Sequence, residues 1–197
     1  MNVSKTIPHL MAVLIISLFT ITSATAQVDK PVKVGITGGL NLANFNDSNV
    51  ETDINTGLTA GVFSRFYIPD SPVSIQPEIL YSQKGASGDN IDANLDYIEI
   101  PVLARFAFVN DSEVTPNVFF GPYVGFNLSA EGTNGNITIN ADDVVNKTDA
   151  GVVFGADMEL SQFTIGGRYS AGLIEVFDDP DATSKNGVFS IMVGVSF

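Results

Sequence analysis

The chain has no cysteine and a single histidine, His9, among its 197 residues. Without cysteine there is no disulfide bond to stabilise an exported fold and no thiol to carry a lipid anchor. Basic residues are also scarce, because nine lysines and arginines stand against 22 acidic residues and the net charge is −13. That charge argues against nucleic acid or anionic lipid as a partner.

Long hydrophobic runs are equally rare, and the one that exists lies near the amino terminus. Residues 10–19, LMAVLIISLF, follow Lys5 and precede the small-residue triplet ATA at 24–26. This layout is typical of a secretory signal peptide, and the run is shorter than the roughly 18 residues of a transmembrane helix. We therefore expect a signal peptide at residues 1–26 and one exported domain at residues 27–197.

The exported part is hydrophobic although it contains no further long apolar run. Hydrophobic residues make up 45% of the chain, and the mean hydropathy is +0.24. Eight segments instead alternate apolar and polar residues, at 32–44, 56–68, 73–84, 94–108, 114–128, 148–159, 162–172 and 187–197. Each has about the 9–11 residues that a tilted strand needs to cross a bilayer, or more. The pattern predicts an all-β fold, an eight-stranded antiparallel up-and-down transmembrane β-barrel.

The connections between these segments alternate in length. Long polar stretches at 45–55, 85–93, 129–147 and 173–186 alternate with tight turns at 69–72, 109–113 and 160–161. Outer-membrane barrels have long extracellular loops and short periplasmic turns. We therefore expect a location in the cell outer membrane, with both termini on the periplasmic side.

Residues 96–108, DYIEIPVLARFAF, illustrate the two faces of one predicted strand. Every second residue from Ile98 to Phe108 is apolar, whereas Glu99 and Arg105 lie on the other face. Pro101 removes one ladder hydrogen bond, so we predict a bulge or a kink there. In a transmembrane barrel the apolar face contacts lipid and the mixed face lines the interior.

Aromatic residues on the predicted lipid faces fall at two heights, as expected at the two interfaces of a bilayer. The predicted belts are Phe66, Phe106, Phe108, Phe163 and Phe197 at the end with tight turns, and Tyr81, Phe126, Tyr169 and Phe189 at the other end. A terminal aromatic residue on an amphipathic strand also resembles the signal that the barrel-assembly machinery recognises. Phe197 is therefore the predicted assembly signal.

The opposite faces carry four positive and four negative side chains. The predicted interior charges are Lys33, Arg65, Glu78, Glu99, Arg105, Asp157, Glu159 and Arg168, accompanied by the polar residues Tyr97, Tyr123 and Asn127. An eight-stranded barrel is just wide enough to be filled by side chains, so such charges must be paired. We favour a salt-bridged filling over the alternatives, a solute path or a proton relay.

Several segments resemble the PorT-like outer-membrane β-barrel domain. They are IQPEILYSQKG at 75–85, LDYIEIPVLARF at 95–106, FFGPYVGFNL at 119–128, GGRYSAGL at 166–173 and the closing VGVSF. The resemblance implies an eight-stranded outer-membrane barrel of porin-like type, and some members belong to a protein-secretion and gliding apparatus.

Four functional hypotheses remain open at this stage. The first is a non-catalytic barrel with a structural or interaction role in the envelope, which contacts outer-membrane lipid, the barrel-assembly machinery and a protein partner bound through its loops. The second is a narrow pore or transport component. The third, an enzyme, lacks a histidine outside the signal peptide and would depend on Glu78 and Glu99, so we expect no catalysis, cofactor or metal. The fourth, a soluble lipocalin-type barrel, would direct its apolar faces inward.

Overall fold

A computed structural model describes residues 32–46, 54–87, 92–108, 112–134, 137–140, 145–176 and 184–197. The predicted signal peptide lies outside these residues. Strands dominate, and no helix in the described ranges is long and apolar enough to cross a membrane. The strands are β1 (Val32–Asn46), β2 (Asn55–Tyr67), β3 (Val73–Ser87), β4 (Asp92–Ala107), β5 (Val114–Asn134), β6 (Ile137–Asn140), β7 (Thr148–Leu160), β8 (Phe163–Glu175) and β9 (Lys185–Ser196).

Eight of these strands form a closed antiparallel barrel. Each pairs with its neighbour in sequence, and β1 pairs with β9 from Gly35↔Ser196 to Asn46↔Lys185, which closes the sheet. The ninth strand, β6, pairs only with the far end of β5 and stands outside the ring. Closure leaves no open edge in the ring, so each of its strands has a hydrogen-bonded neighbour on both sides.

The register defines the tilt of the strands. Paired residues, followed once around the barrel from Val32, return to β1 at Leu42, ten residues further along. The path is Val32, Phe66, Ile75, Ala104, Phe120, Phe154, Tyr169, Phe189 and Leu42. With about 3.4 Å per residue and about 4.8 Å between eight strands, this shift tilts the strands by about 40° to the barrel axis.

The two ends of the barrel differ. One end of the barrel holds the first residue of β1, the last of β9, the turns 68–72 and 161–162, and the adjoining ends of β4 and β5. We call it the turn end, and the opposite one the loop end. At a tilt of about 40°, consecutive residues of a strand differ in height by about 2.5 Å along the barrel axis. A residue and its partner on the next strand along the path above differ by about 3 Å. These increments give the height of any residue above the turn end.

Burial alternates along the strands as the sequence predicts, and the apolar face is the outer one. Phe120 is 69% exposed, Ile191 49% and Phe154 53%, whereas Glu99, Arg105 and other charged residues at the alternate positions are buried. An exposed face made of large apolar side chains is unfavourable in water and favourable against hydrocarbon. The lipocalin-type alternative requires the opposite arrangement and is therefore wrong.

Three local predictions need correction. The connection predicted at 85–93 shrinks to 88–91, because β3 continues to Ser87 and β4 begins at Asp92. The connection predicted at 129–147 is partly β-structure, since β5 continues to Asn134 and pairs with β6. Pro101 causes no bulge: it stays in register with Tyr123, and the irregularity between β4 and β5 lies at Asp96 and Tyr97.

Candidate functional site in the barrel interior

The eight predicted interior charges all point into the barrel, where each has an ion-pair partner. Nearest the turn end, Glu159 accepts from two cations, Lys33 Nζ at 2.9 Å and Arg65 Nη1 at 2.5 Å. The Arg65 guanidinium also donates from Nε to Gln76 Oε1 at 2.7 Å. Lys33 is one-third exposed at this end, whereas Arg65 is buried.

Two further pairs lie above this group, further from the turn end. Arg105 donates to both carboxylate oxygens of Asp157, at 2.7 Å and 2.8 Å, and Asn117 donates to the same carboxylate at 3.0 Å. Arg168 Nη1 donates to Glu78 Oε2 at 2.8 Å. Both pairs are buried, so the partners compensate each other in a medium that would strongly disfavour either alone.

The third group lies toward the loop end and contains two charges that the sequence analysis missed. Lys84 Nζ lies 2.5 Å from Glu99 Oε1 and 2.9 Å from Asp149 Oδ2. The ammonium also faces the rings of Tyr97 and Tyr123, 5.0 Å and 4.8 Å from their centroids. Asp149 and Lys84 are almost fully buried. Cation–π contact therefore adds to the ion pairs around this lysine.

Alternation could have identified both missed residues. Lys84 lies six residues after Glu78 in β3, and Asp149 lies eight residues before Asp157 in β7. Both intervals are even, so each residue shares the inward face of its predicted neighbour. They were missed because they lie at the ends of the predicted segments.

The three residues predicted as polar interior residues, Tyr97, Tyr123 and Asn127, differ in their surroundings. The Tyr123 hydroxyl donates to Asp149 Oδ2 at 3.0 Å, and Tyr97 is 1% exposed beside Lys84. Asn127 is only half-buried and donates to two main-chain carbonyls, those of Asp96 and Ser129. It therefore supports the wall of the barrel near the bulge and takes no part in the ion pairs.

Apolar side chains fill the space between the charged groups. Leu103, Phe119, Tyr123 and Val153 form one buried cluster within the barrel. A second cluster lies above the Lys84 group at the loop end and consists of Leu95, Tyr97, Ala130, Val145 and Val176. A cavity of about 40 Å³ remains beside Arg65, Arg105 and Arg168. It has room for about three water molecules.

The charge is not evenly distributed along the axis. Nearest the turn end, three cations, Lys33, Arg65 and Arg105, face two carboxylates, while at the loop end Lys84 faces two carboxylates. Among the described residues, buried side-chain atoms without a hydrogen bond are Glu99 Oε1, Asp149 Oδ1 and Arg168 Nε. Glu99 Oε1 nevertheless lies within ion-pair distance of Lys84. Arg168 lines the small cavity.

The predicted aromatic belt residues all lie on the outer face, and the register separates them in height. Phe66, Phe106, Phe108, Phe163 and Phe197 lie within about 5 Å of the turn end, and Tyr81, Phe126, Tyr169 and Phe189 about 19–28 Å above it. The two groups are therefore about 20 Å apart, close to the roughly 25 Å apolar band of outer-membrane barrels.

The structure also shows the surroundings of the candidate catalytic and metal-binding groups. Within the described ranges, no group of three or more His, Cys, Asp and Glu side chains is placed to hold a metal ion. The two candidate catalytic carboxylates, Glu78 and Glu99, are each bound by a cation.

One solved structure with a TM-score above 0.5 supports the barrel fold. Neisserial surface protein A is similar over 85% of this chain and 98% of its own, with 16% identity and a TM-score of 0.53. Ail of Yersinia pestis has 14% identity over 84% of this chain and 99% of its own, with a TM-score of 0.47. OprG from Pseudomonas aeruginosa has 10% identity over 84% of this chain and 94% of its own, with a TM-score of 0.43. At these identities the likeness concerns the fold alone. A comparison with curated proteins gives no match.

A family comparison is more informative. The family model described as the outer membrane protein beta-barrel domain matches residues 25–178, which is most of the chain. This match agrees with the closed eight-stranded ring and its apolar outer face. The chain therefore belongs to the outer membrane protein beta-barrel family, and it resides in the cell outer membrane.

Proposed function

We propose that the protein is a non-conducting barrel with a structural or interaction role in the cell envelope. The observation that carries this proposal is the filling of the interior, where ion pairs and two apolar clusters occupy the space between the strands. A solute path would require these pairs to separate, which exposes buried charges without partners.

The orientation of the barrel supports an interaction role. We infer that the turn end is periplasmic, because outer-membrane barrels have their short turns on that side. The longer connections then face the cell exterior, where they could contact an envelope protein. Phe197, exposed at the turn end, would serve as the signal for the barrel-assembly machinery. We expect its deletion to lower the fraction of barrel that shifts in gel mobility on heating, which measures assembly in cells.

We do not expect enzymatic activity. The cationic partners of Glu78 and Glu99 hold both carboxylates in ion pairs, so neither is available as a general base. Two results together would contradict this expectation: the parent barrel hydrolyses ester substrates, and a folded Glu78→Gln variant does not.

A narrow pore is the second candidate, and one observation favours it. The cavity beside Arg65, Arg105 and Arg168 provides room for water inside the barrel. The PorT-like motifs add a related possibility, that the protein is a component of a secretion or gliding apparatus.

Single-channel recording in planar bilayers tests the choice between these roles. We expect no conductance from the parent barrel or from Arg65→Ala and Arg105→Ala variants, because apolar residues block the loop end. Discrete conductance steps in the parent would favour the pore. Cross-linking in the native membrane, followed by identification of the attached proteins, tests the interaction role and the apparatus.

A further inference from the structure

The backbone ladder between β2 and β3 has a gap near the loop end. Their ladder ends at Thr59↔Ser82, although β2 extends beyond it to Asn55 and β3 to Ser87. By contrast, β3 and β4 remain paired up to Ser87↔Asp92. The strands β3, β4 and β5 therefore stay paired further toward the loop end than β2 and β3 do, although Gly57 of β2 still lies against the backbone of Gln83.

Side-chain amides take the place of the missing ladder. Gln83 Oε1 accepts from the backbone N–H of Leu58 at 3.2 Å. Asn55 Nδ2 donates to the Ala93 carbonyl at 3.1 Å and to Asn94 Oδ1 at 2.9 Å. Gly85 adopts a φ of 142° on the same wall. A side chain there would collide with the Ala93 carbonyl. The gap is thus held by specific hydrogen bonds.

A pocket of about 320 Å³ opens at this gap. This volume falls within the range of about 300–1,000 Å³ that is typical of small-molecule sites. Its lining is polar apart from one glycine and includes Asn55, Gln83, Asn94, Asp96, Ser129 and Glu131. Asn94 and Glu131 are exposed and directly opposite in the ladder between β4 and β5. Polar side chains therefore converge on one concave surface.

The lining excludes several classes of ligand. An acyl chain would find no apolar side chain in this lining. A phosphate or sulfate would face Asp96 and Glu131, while the lysine of the pocket, Lys84, is already neutralised by Glu99 and Asp149. A metal ion would need more carboxylates than converge here. A neutral ligand rich in hydroxyl groups suits the amides and carboxylates, which can accept from or donate to neighbouring hydroxyls.

The height of the pocket indicates where such a ligand would come from. Gln83 follows Tyr81 by two residues in β3, and its Nε2 donates to the Tyr81 hydroxyl at 3.3 Å. Tyr81 belongs to the aromatic group near the loop end, and aromatic residues of this kind lie at the level of the lipid headgroups. The pocket therefore opens about 5–15 Å beyond Tyr81, outside the hydrocarbon.

We propose that this pocket binds a saccharide, either the sugar headgroup of an outer-leaflet glycolipid or a free oligosaccharide. The inference rests on the proposed orientation, in which the loop end faces the exterior, and it specifies a ligand for the proposed interaction role. The amides of Gln83 and Asn94 with the carboxylates of Asp96 and Glu131 bind ring hydroxyls.

Two probes distinguish the two sources. Deacylated and dephosphorylated core oligosaccharide is titrated calorimetrically into the full barrel in detergent, and intact lipopolysaccharide is bound to the barrel in nanodiscs. The test variants are Glu131→Ala and the double variant Asn94→Ala/Glu131→Ala. The matched control is Glu113→Ala, which removes an exposed carboxylate from the turn that precedes the same strand, β5. The heat-dependent gel shift verifies that each variant is folded.

We expect saturable binding that weakens at least tenfold in the double variant and remains unchanged in Glu113→Ala. Binding of the free oligosaccharide would assign a soluble sugar, whereas binding of intact lipopolysaccharide alone would assign the glycolipid. Absence of binding to either probe would overturn the proposal, as would equal binding by parent and double variant. Binding abolished by EDTA would overturn it too, because a metal bridge would then replace sugar recognition. None of these results depends on whether the barrel conducts ions. Conductance in planar bilayers would therefore refute the proposed non-conducting role without affecting the saccharide proposal.

Discussion

Arg105 and Asp157 lie on strands β4 and β7 and meet inside the barrel in a two-point ion pair, with N–O distances of 2.7 Å and 2.8 Å. The pair joins strands that are not neighbours, since β5 lies between them. Both side chains are buried. The ion pair therefore links the inward faces of two non-adjacent strands, in a medium that penalises either charge alone.

Arg105→Met should destabilise the barrel by about 3–5 kcal/mol, because it leaves the Asp157 carboxylate buried without its cation. Asp157→Leu should cost a similar amount. The double variant Arg105→Met/Asp157→Leu should recover most of the loss, since no unpaired charge remains. Urea unfolding in lipid vesicles, followed by circular dichroism, measures all three. Additive losses in the double variant would contradict an interaction between the two side chains.

Lys84 should matter far more than Lys33, although both are lysines in the same interior. Lys84→Met leaves the two carboxylates of Glu99 and Asp149 without a cation, and we expect a loss of about 3–5 kcal/mol or failure to fold. Lys33→Met should cost at most about 1 kcal/mol, because Lys33 is one-third exposed and Arg65 still binds Glu159. The fraction of barrel that resists SDS without heating compares the two variants. Equal losses of SDS resistance in the two variants would show that burial of Lys84 does not increase its contribution to stability.

The pattern of the sequence was sufficient for the architecture because period-two alternation specifies which side chains point to each face. It could not specify ion-pair partners. Glu99 and Arg105 share one face of β4, yet Glu99 pairs with Lys84 and Arg105 with Asp157. Those partners depend on the ten-residue shift around the barrel, and sequence alternation carries no information on the shift. Likewise, the gap between β2 and β3 arises from a ladder that stops early, which no local pattern indicates.

An arginine on the outer face should be costly at mid-height and tolerated at the loop end. Phe120 lies about 13 Å above the turn end, and Phe120→Arg should destabilise the barrel in vesicles by about 2–4 kcal/mol. The control is Ile54→Arg, which places the same charge beyond the aromatic group at the loop end, and we expect a cost of about 0–1 kcal/mol. If water surrounded the barrel, an arginine at either exposed position, 120 or 54, would change the free energy of unfolding very little. Equal, small effects in vesicles would therefore contradict contact between Phe120 and hydrocarbon.

Two glycines on neighbouring strands should respond oppositely to alanine, because only one is enclosed. A Cβ at Gly61 would lie 2.0 Å from the Ile79 carbonyl oxygen, so Gly61→Ala must displace β3. We expect a loss of about 1–3 kcal/mol from this overpacking. At Gly38 the nearest atom to such a Cβ, the Thr59 carbonyl oxygen, is 3.4 Å away, so the methyl group fits. Gly38→Ala should then stabilise the strand by about 0.5–1 kcal/mol, because it removes backbone freedom from the unfolded chain. Denaturant midpoints measured side by side in vesicles provide the comparison, and a stabilising effect of Gly61→Ala would refute the close approach of β2 and β3 at that position.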